Sequence, residues 1–193
     1  MTTSSGQTYL AIPGPSVIPE EVLRSMHRSA PNIYEGELIE ITRSLIPDLN
    51  YVARSSGNVA IYIANGHGIW EAALSNIATA NDHILVVATG RFAHGWAEMA
   101  RKLGIKVDVV DFGKNRALDI EVLAKKLKSE SKTKYKAILM KHVDTSTSVK
   151  NDIFNVRKKL DEINCSALLA VDCIASLACD KFEMDEWGVD IMV

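Results

Sequence analysis

Apolar and polar positions along this chain fall into two rhythms, one of about three and a half residues and one of short unbroken apolar runs. Residues 20–27 (EEVLRSMH) follow Pro19 and predict a short helix, because proline suits the first helical turn. Leu38, Ile41, Leu45, Leu49 and Val52 recur every three or four residues. That spacing predicts a helix over 37–52, kinked or divided by Pro47. Residues 59–64 (VAIYIA) form a β-branched apolar run between Gly57 and Gly66, which predicts a buried strand.

From there helices and strands alternate. The pattern predicts a helix over 68–79, a strand over 83–88 and a helix over 93–103 closed by Gly104. A strand over 105–111 follows, then a helix over 119–129 whose face carries Leu123, Lys126, Leu127 and Glu130. A strand over 137–141, a helix over 152–163 and a strand over 167–171 come next, and 189–193 begins one more strand. Strands separated by helices need crossover connections, so the sheet is expected to be mainly parallel. The fold class is therefore α/β, three layers α/β/α with helices on both faces. Residues 1–55 are expected to form an N-terminal arm with helices, and 56–193 the sheet domain. The last strand is still apolar at Val193, which reads as a chain cut within a larger domain.

Composition narrows the function. The chain has 193 residues, 47% hydrophobic and 24% charged, enough apolar material for a core and too much for general disorder. A net charge of -2 lacks the basic footprint of a nucleic-acid binder, and no nucleic-acid partner is expected. No apolar run approaches the roughly 18 residues of a membrane span, so no membrane partner is expected. The polar, uncharged stretch 1–7 has no apolar signal core, and a cytoplasmic protein is expected. Cys165, Cys173 and Cys179 lack metal-like spacing and read as free thiols in a reducing compartment, with no metal site.

Ligands of parallel α/β sheets bind beyond the carboxyl ends of the strands, and four post-strand loops carry polar groups. Asn65, Gly66, His67 and Gly68 precede a helix, where glycines permit a tight turn and helix-start amides suit a phosphate; the turn is equally an ordinary glycine-rich connection. It is not a Walker loop, since the Gly-Lys-Ser/Thr ending is absent. Phe92, in the loop after the second run, stands either as a stacking surface for a planar ligand or as a core residue. Residues 141–148 (KHVDTSTS) are dense in hydroxyls, suited to a polar ligand or to turns and caps. Asp172 ends the apolar run LLAV, where a charge is costly unless paired. A metal, an arginine or a protonated ring nitrogen would pair with it, or it caps the next turn.

In this order, the stretches 13–26 (PGPSVIPEEVLRSM), 65–76 (NGHGIWEAALSN), 88–100 (ATGRFAHGWAEMA), 144–153 (DTSTSVKNDI), VDCIASL and DEWGVDIMV resemble the class V, fold-type I pyridoxal-phosphate aminotransferases. The alanine–glyoxylate and serine–glyoxylate group is the most similar, over almost the whole chain. The resemblance implies pyridoxal 5'-phosphate as cofactor, with Asn65, Gly66 and His67 at its phosphate, Phe92 on one ring face and Ile174 on the other. It also implies a hydroxyl bond from Thr145, and Asp172 as the catalytic partner of the ring nitrogen. Pro13, Gly14, Pro15 and Ser16 match an arm near the substrate pocket. Transamination between a small amino acid and a 2-oxo acid, glyoxylate foremost, is implied, as is a homodimer.

The sequence departs from the family at several points. The phosphate turn commonly reads Ser-Gly or Gly-Thr rather than Asn65-Gly66-His67, and 32–36 (NIYEG) replaces a His-Arg-Gly motif. The family's Schiff-base lysine follows the strand that matches VDIMV, and none of Lys141, Lys150 or Lys181 stands at that position. The small C-terminal domain, with its carboxylate-binding arginine, is likewise not represented. Other readings are a lyase or desulfurase-like reaction on the same scaffold, a non-catalytic piece, or a nucleotide-binding domain using the Gly66 turn.

Overall fold

A computed structural model of the chain describes residues 10–129 and 134–193. The expectations for 1–7 and for Glu130 fall outside the described residues. The chain divides into two compact units, one ending at Ile46 and the other Pro47–Val193.

The first unit contains helix α1 (Glu20–Met26), as expected after Pro19, and most of helix α2 (Glu37–Ala53), which continues into the second unit. Pro47 stands inside α2 without dividing it, so of the two expected outcomes, a kink or a division, the division does not occur. A proline costs an interior helix one hydrogen bond to the carbonyl four residues earlier, and the helix carries that loss without breaking. Pro13, Gly14, Pro15 and Ser16 lie exposed in the first unit.

The second unit is built on strands and helices in alternation. Helix α3 (Gly66–Ile77) leads to strand β1 (His83–Ala88), helix α4 (Arg91–Lys102), strand β2 (Lys106–Asp111) and helix α5 (Ile120–Ser129). Strand β3 (Tyr135–Lys141), the short pair β4 (Val143–Asp144) and β5 (Val149–Lys150), helix α6 (Ile153–Glu162), strand β6 (Leu168–Asp172) and strand β7 (Ile191–Met192) complete it. The main sheet has the order β2-β1-β3-β6-β7, and every pairing in it is parallel. Gly104 takes φ +80 after α4, a left-handed conformation that glycine reaches without a Cβ clash.

Side-chain alternation along the strands sorts the core into two layers. Leu85, Val87, Ile138, Met140, Leu169 and Val171 pack with Leu123 of α5 and Ile153, Val156 and Leu160 of α6. Ile84, Val86, Leu139 and Ala170 pack on the other face with Trp70 and Leu74 of α3 and Trp96, Ala97 and Ala100 of α4. This is the expected three-layer α/β/α arrangement, and near-continuous apolar strands are what burial on both faces demands.

The expectation for 59–64 fails. Those residues form no strand; Ile61, Tyr62 and Ile63 are exposed, and the segment lines an open apolar cavity of about 640 Å³ with Ile77, Met192 and Val193. An apolar run becomes a strand only where a neighbour completes its backbone hydrogen bonds, and none of the described strands pairs with it. The hairpin β4–β5, antiparallel with Asp144 opposite Val149, was not expected. Leu139 is fully buried at the centre of the sheet. Leu139→Ala should lower unfolding stability by about 2–5 kcal/mol, read as a reduced urea midpoint with unchanged slope.

Candidate active site

Register and parity bring two opposite charges together at the carboxyl end of the sheet. Parallel pairing aligns Ala137 with Leu168 and ends with Lys141 beside Asp172. Lys141 shares parity with Ala137 and Leu139, and Asp172 with Ala170, so both side chains emerge on the α3–α4 face. They are 1% and 3% exposed, and Lys141 Nζ donates to Asp172 Oδ2 in a short contact. Trp70 Nε1, from the second turn of α3, donates to the same oxygen at 2.6 Å, and the Ile174 amide donates to Asp172 Oδ1 at 2.9 Å. The partner of Asp172 is thus a lysine of the neighbouring strand, a cation the sequence reading did not weigh.

Aromatic rings enclose the ammonium. Lys141 Nζ lies 3.7 Å from the Trp70 ring centroid and 4.9 Å from that of Trp96, and the two indoles stack with centroids 5.9 Å apart. Burial pulls the Lys141 pKa down to about 8, against the upward pull of Asp172. Burial with the adjacent Asp172 pushes the Cys173 thiol far above its usual range, so it packs and does not react. Cys173 and Met140 are buried among packing residues, Cys165 is half-buried and Cys179 is exposed, so a packing role for all three cysteines does not hold.

The turn before α3 reaches the same place. Asn65 is the N-cap, and its Oδ1 accepts from the amides of His67 at 3.1 Å and Gly68 at 3.2 Å. A Cβ at Gly66 would stand 2.4 Å from Ile174 Cδ1, and one at Gly68 2.6 Å from Ala64 Cβ. Those approaches explain the glycines and show that Ile174, mostly exposed, lies over the Gly66 turn. The exposed His67 ring packs on Trp70 with centroids 4.6 Å apart, and the half-buried Phe92 meets Trp70 edge-on at 6.3 Å. Asn65, Gly66, His67, Phe92, Asp172 and Ile174 therefore converge on one region, linked through Trp70.

Thr145 occupies the turn joining β4 to β5, and the residue organising that turn is its neighbour Asp144. Asp144 is fully buried; Oδ1 accepts from the Ser146 amide at 3.0 Å and hydroxyl at 2.6 Å, and Oδ2 from the Ala93 amide at 3.1 Å. Ser146 Oγ in turn accepts from the Arg91 amide at 2.9 Å. The hydroxyl loop thereby caps α4. Gly90 has φ 175, an extended backbone open to any residue, but a Cβ there would lie 2.4 Å from the Asp144 carboxyl group. A DTS triplet beside a helix start hints at such a cap, but its target lies over 50 residues away in sequence.

Comparison with known proteins gives the chain its family. The family model for aminotransferase class-V matches residues 8–193, and the chain belongs to that family. Serine–glyoxylate aminotransferase of Arabidopsis thaliana is 36% identical over 96% of this chain and 47% of its own length. L-aspartate–glyoxylate aminotransferase of Paracoccus denitrificans is 32% identical over 98% of this chain and 48% of its own. The ureidoglycine–glyoxylate aminotransferase structure from Bacillus subtilis superposes with a TM-score of 0.87 at 23% identity, covering 98% of this chain and 49% of that one. The chain spans about half the length of the curated relatives it matches.

Family membership implies pyridoxal 5'-phosphate, and the donor set fits it. A buried carboxylate suits a protonated ring nitrogen, Phe92 offers an aromatic face, and a glycine-bounded helix start offers amides to a phosphate. Among the described residues no cluster of His, Cys, Asp and Glu could hold a metal ion, and no helix is long and apolar enough to cross a membrane.

Two outcomes follow from the charges. The folded chain releases the Lys141 proton near pH 8 and the unfolded chain near its ordinary 10.5, so the unfolded state binds more protons between them. Stability should therefore rise with pH across that window by up to about 3 kcal/mol relative to Lys141→Arg, whose cation does not titrate, in urea unfolding at stepped pH. Gly90→Ala should displace Asp144 and cost about 1–3 kcal/mol in the same assay.

Proposed function

We propose that this chain is the cofactor-ring half of an aminotransferase that moves an amino group from a small amino acid to a 2-oxo acid, glyoxylate foremost. The observation that carries the reading is the buried Asp172, aligned by register at the carboxyl end of β6 with Gly66, Phe92 and Ile174 around it. Pyridoxal 5'-phosphate supplies an electron sink when bound, stabilising negative charge that develops at the substrate's α-carbon.

The chain's residues hold and orient. Asp172 would accept a hydrogen bond from the protonated ring nitrogen, and its own orientation is fixed by Trp70 Nε1 and the Ile174 amide. Phe92 and Ile174 would offer apolar surfaces to the two faces of the ring. Thr145 offers a hydroxyl bond to the cofactor. At the phosphate end the His67 and Gly68 amides, now bonded to the exposed Asn65 side chain, would be the donors available to the phosphate. Pro13, Gly14, Pro15 and Ser16 contribute to the substrate pocket, as the resemblance implies. None of these residues is a lysine placed to take the α-proton, so these 193 residues alone should bind cofactor without turnover.

The relatives support glyoxylate as acceptor by their names, and their donors differ, serine in one and aspartate in another. The reading includes residues 56–193 as the cofactor-binding domain preceded by an arm over 1–55, with the small C-terminal domain not represented in this chain. It also includes a homodimer and a cytoplasmic location.

Titrating the chain with pyridoxal 5'-phosphate and following Trp fluorescence should show saturable quenching. Asp172→Ala should weaken binding at least tenfold, and Phe92→Ala should cost roughly 1 kcal/mol or more. The protein at the family's full length should transfer amino groups from alanine, serine or aspartate to glyoxylate. Loss of a substituent from the donor without transfer would instead place it among lyases, and unchanged affinity in Asp172→Ala would remove that residue's role.

A further inference from the structure

Asp172 is already in use before any ring nitrogen arrives. A carboxylate offers about four lone-pair directions. Three are taken, by Lys141 Nζ and Trp70 Nε1 on Oδ2 and by the Ile174 amide on Oδ1. One direction on Oδ1 remains, and the carboxylate's charge is matched by an ammonium in direct contact.

We propose that Lys141 is a positioning residue for the cofactor, sharing Asp172 with the ring nitrogen and thereby setting how firmly that nitrogen holds its proton. The inference rests on the aminotransferase reading above. A carboxylate with no other cation would hold a pyridinium proton strongly. Beside Lys141 the same carboxylate also faces a second positive charge, which disfavours the protonated ring. Lys141 cannot easily leave: it is 1% exposed, wedged against the Trp70 and Trp96 rings, and its own carbonyl accepts from Asn151 Nδ2 at 2.9 Å.

The groups that face the ammonium limit the argument to one pair. Asp172 from β6 bonds to it; Asp144 from the β4–β5 hairpin and Cys173 after β6 act on it through space; α3 and α4 present indole rings. Asp144 is consumed by the Ser146 and Ala93 donors. The Lys141 pKa near 8 keeps the ammonium largely charged at neutral pH, so the competition operates there. The coupling is reciprocal: if Lys141 weakens the ring proton, a bound ring must weaken the Lys141 proton equally.

The test uses pyridoxamine 5'-phosphate labelled with ¹⁵N in the ring, an amine that forms no imine with lysines. The ring ¹⁵N shift of the bound ligand is followed against pH in the chain, in Lys141→Met and in Lys141→Arg. The Lys141→Met midpoint should lie higher by roughly one unit or more, with Lys141→Arg tracking the parent. Equal midpoints in Lys141→Met and the parent overturn the proposal. Removing one partner of a buried pair can unfold a chain. A second arm therefore uses the parent alone with ¹³C-labelled lysine, the Lys141 Cε signal being assigned by its loss in Lys141→Arg. Saturation with the ligand should lower the Lys141 midpoint, and an unmoved midpoint overturns the proposal while leaving the aminotransferase reading intact. Failure of the folded parent to bind the ligand at all removes that reading and this one together.

Discussion

An ion pair at the end of two neighbouring buried strands sets the terms for the rest of this site. Lys141 and Asp172 are side by side because β3 and β6 pair in parallel register, and they face the same helices because each shares parity with small and apolar residues below it. Neither charge would be tolerable alone at that depth, since an unpaired buried ion costs several kcal/mol. Trp70 and Trp96 owe their placement to the same spot, one indole donating to the carboxylate and both shielding the ammonium. Shielding is also what lowers the lysine's proton affinity, so one packing decision determines both the shape and the electrostatics of the region.

The sheet makes this arrangement rigid. Helices α5 and α6 cover one face with Leu123, Ile153, Val156 and Leu160, while α3 and α4 cover the other with two tryptophans and a run of alanines. Alanines at 93, 97 and 100 let α4 approach the strands closely, leaving the volume that the indoles fill. A one-residue slip of β3 against β6 would send Lys141 into the α5–α6 layer and unpair both charges at once. The apolar layers specify the register, and the register delivers the polar contact.

Much of this was legible in the chain. The run HILVVA matches β1 residue for residue, and the other sheet strands and helices were placed within a few residues of their observed bounds, because two-sided burial leaves strong apolar runs. The failures share a physical cause. VAIYIA has a strand's composition but lacks a neighbour among the described strands, and pairing is a property of two segments, not one. The β4–β5 hairpin has only two residues on each side and leaves no periodicity to read. The individual loops of the site were visible as polar clusters, yet Lys141 as the partner of Asp172 required knowing that β3 and β6 are neighbours across an intervening helix and hairpin.

The two helix starts near the site differ in a way that bears on where an anion goes. The amides at the start of α4 are engaged by Asp144 and Ser146, and Asp144 is fully buried and negatively charged, so an incoming phosphate meets repulsion and a cap that has nowhere to move. The amides at the start of α3 are engaged by Asn65, a neutral side chain at the surface, which gives them up at the cost of hydrogen bonds that water replaces. The helix dipole favours an anion at the start of each of these helices. The identity of the cap therefore breaks the tie. That asymmetry supports the proposed placement, in which the Gly66 turn would take the phosphate while Asp172 and Phe92 would meet the ring.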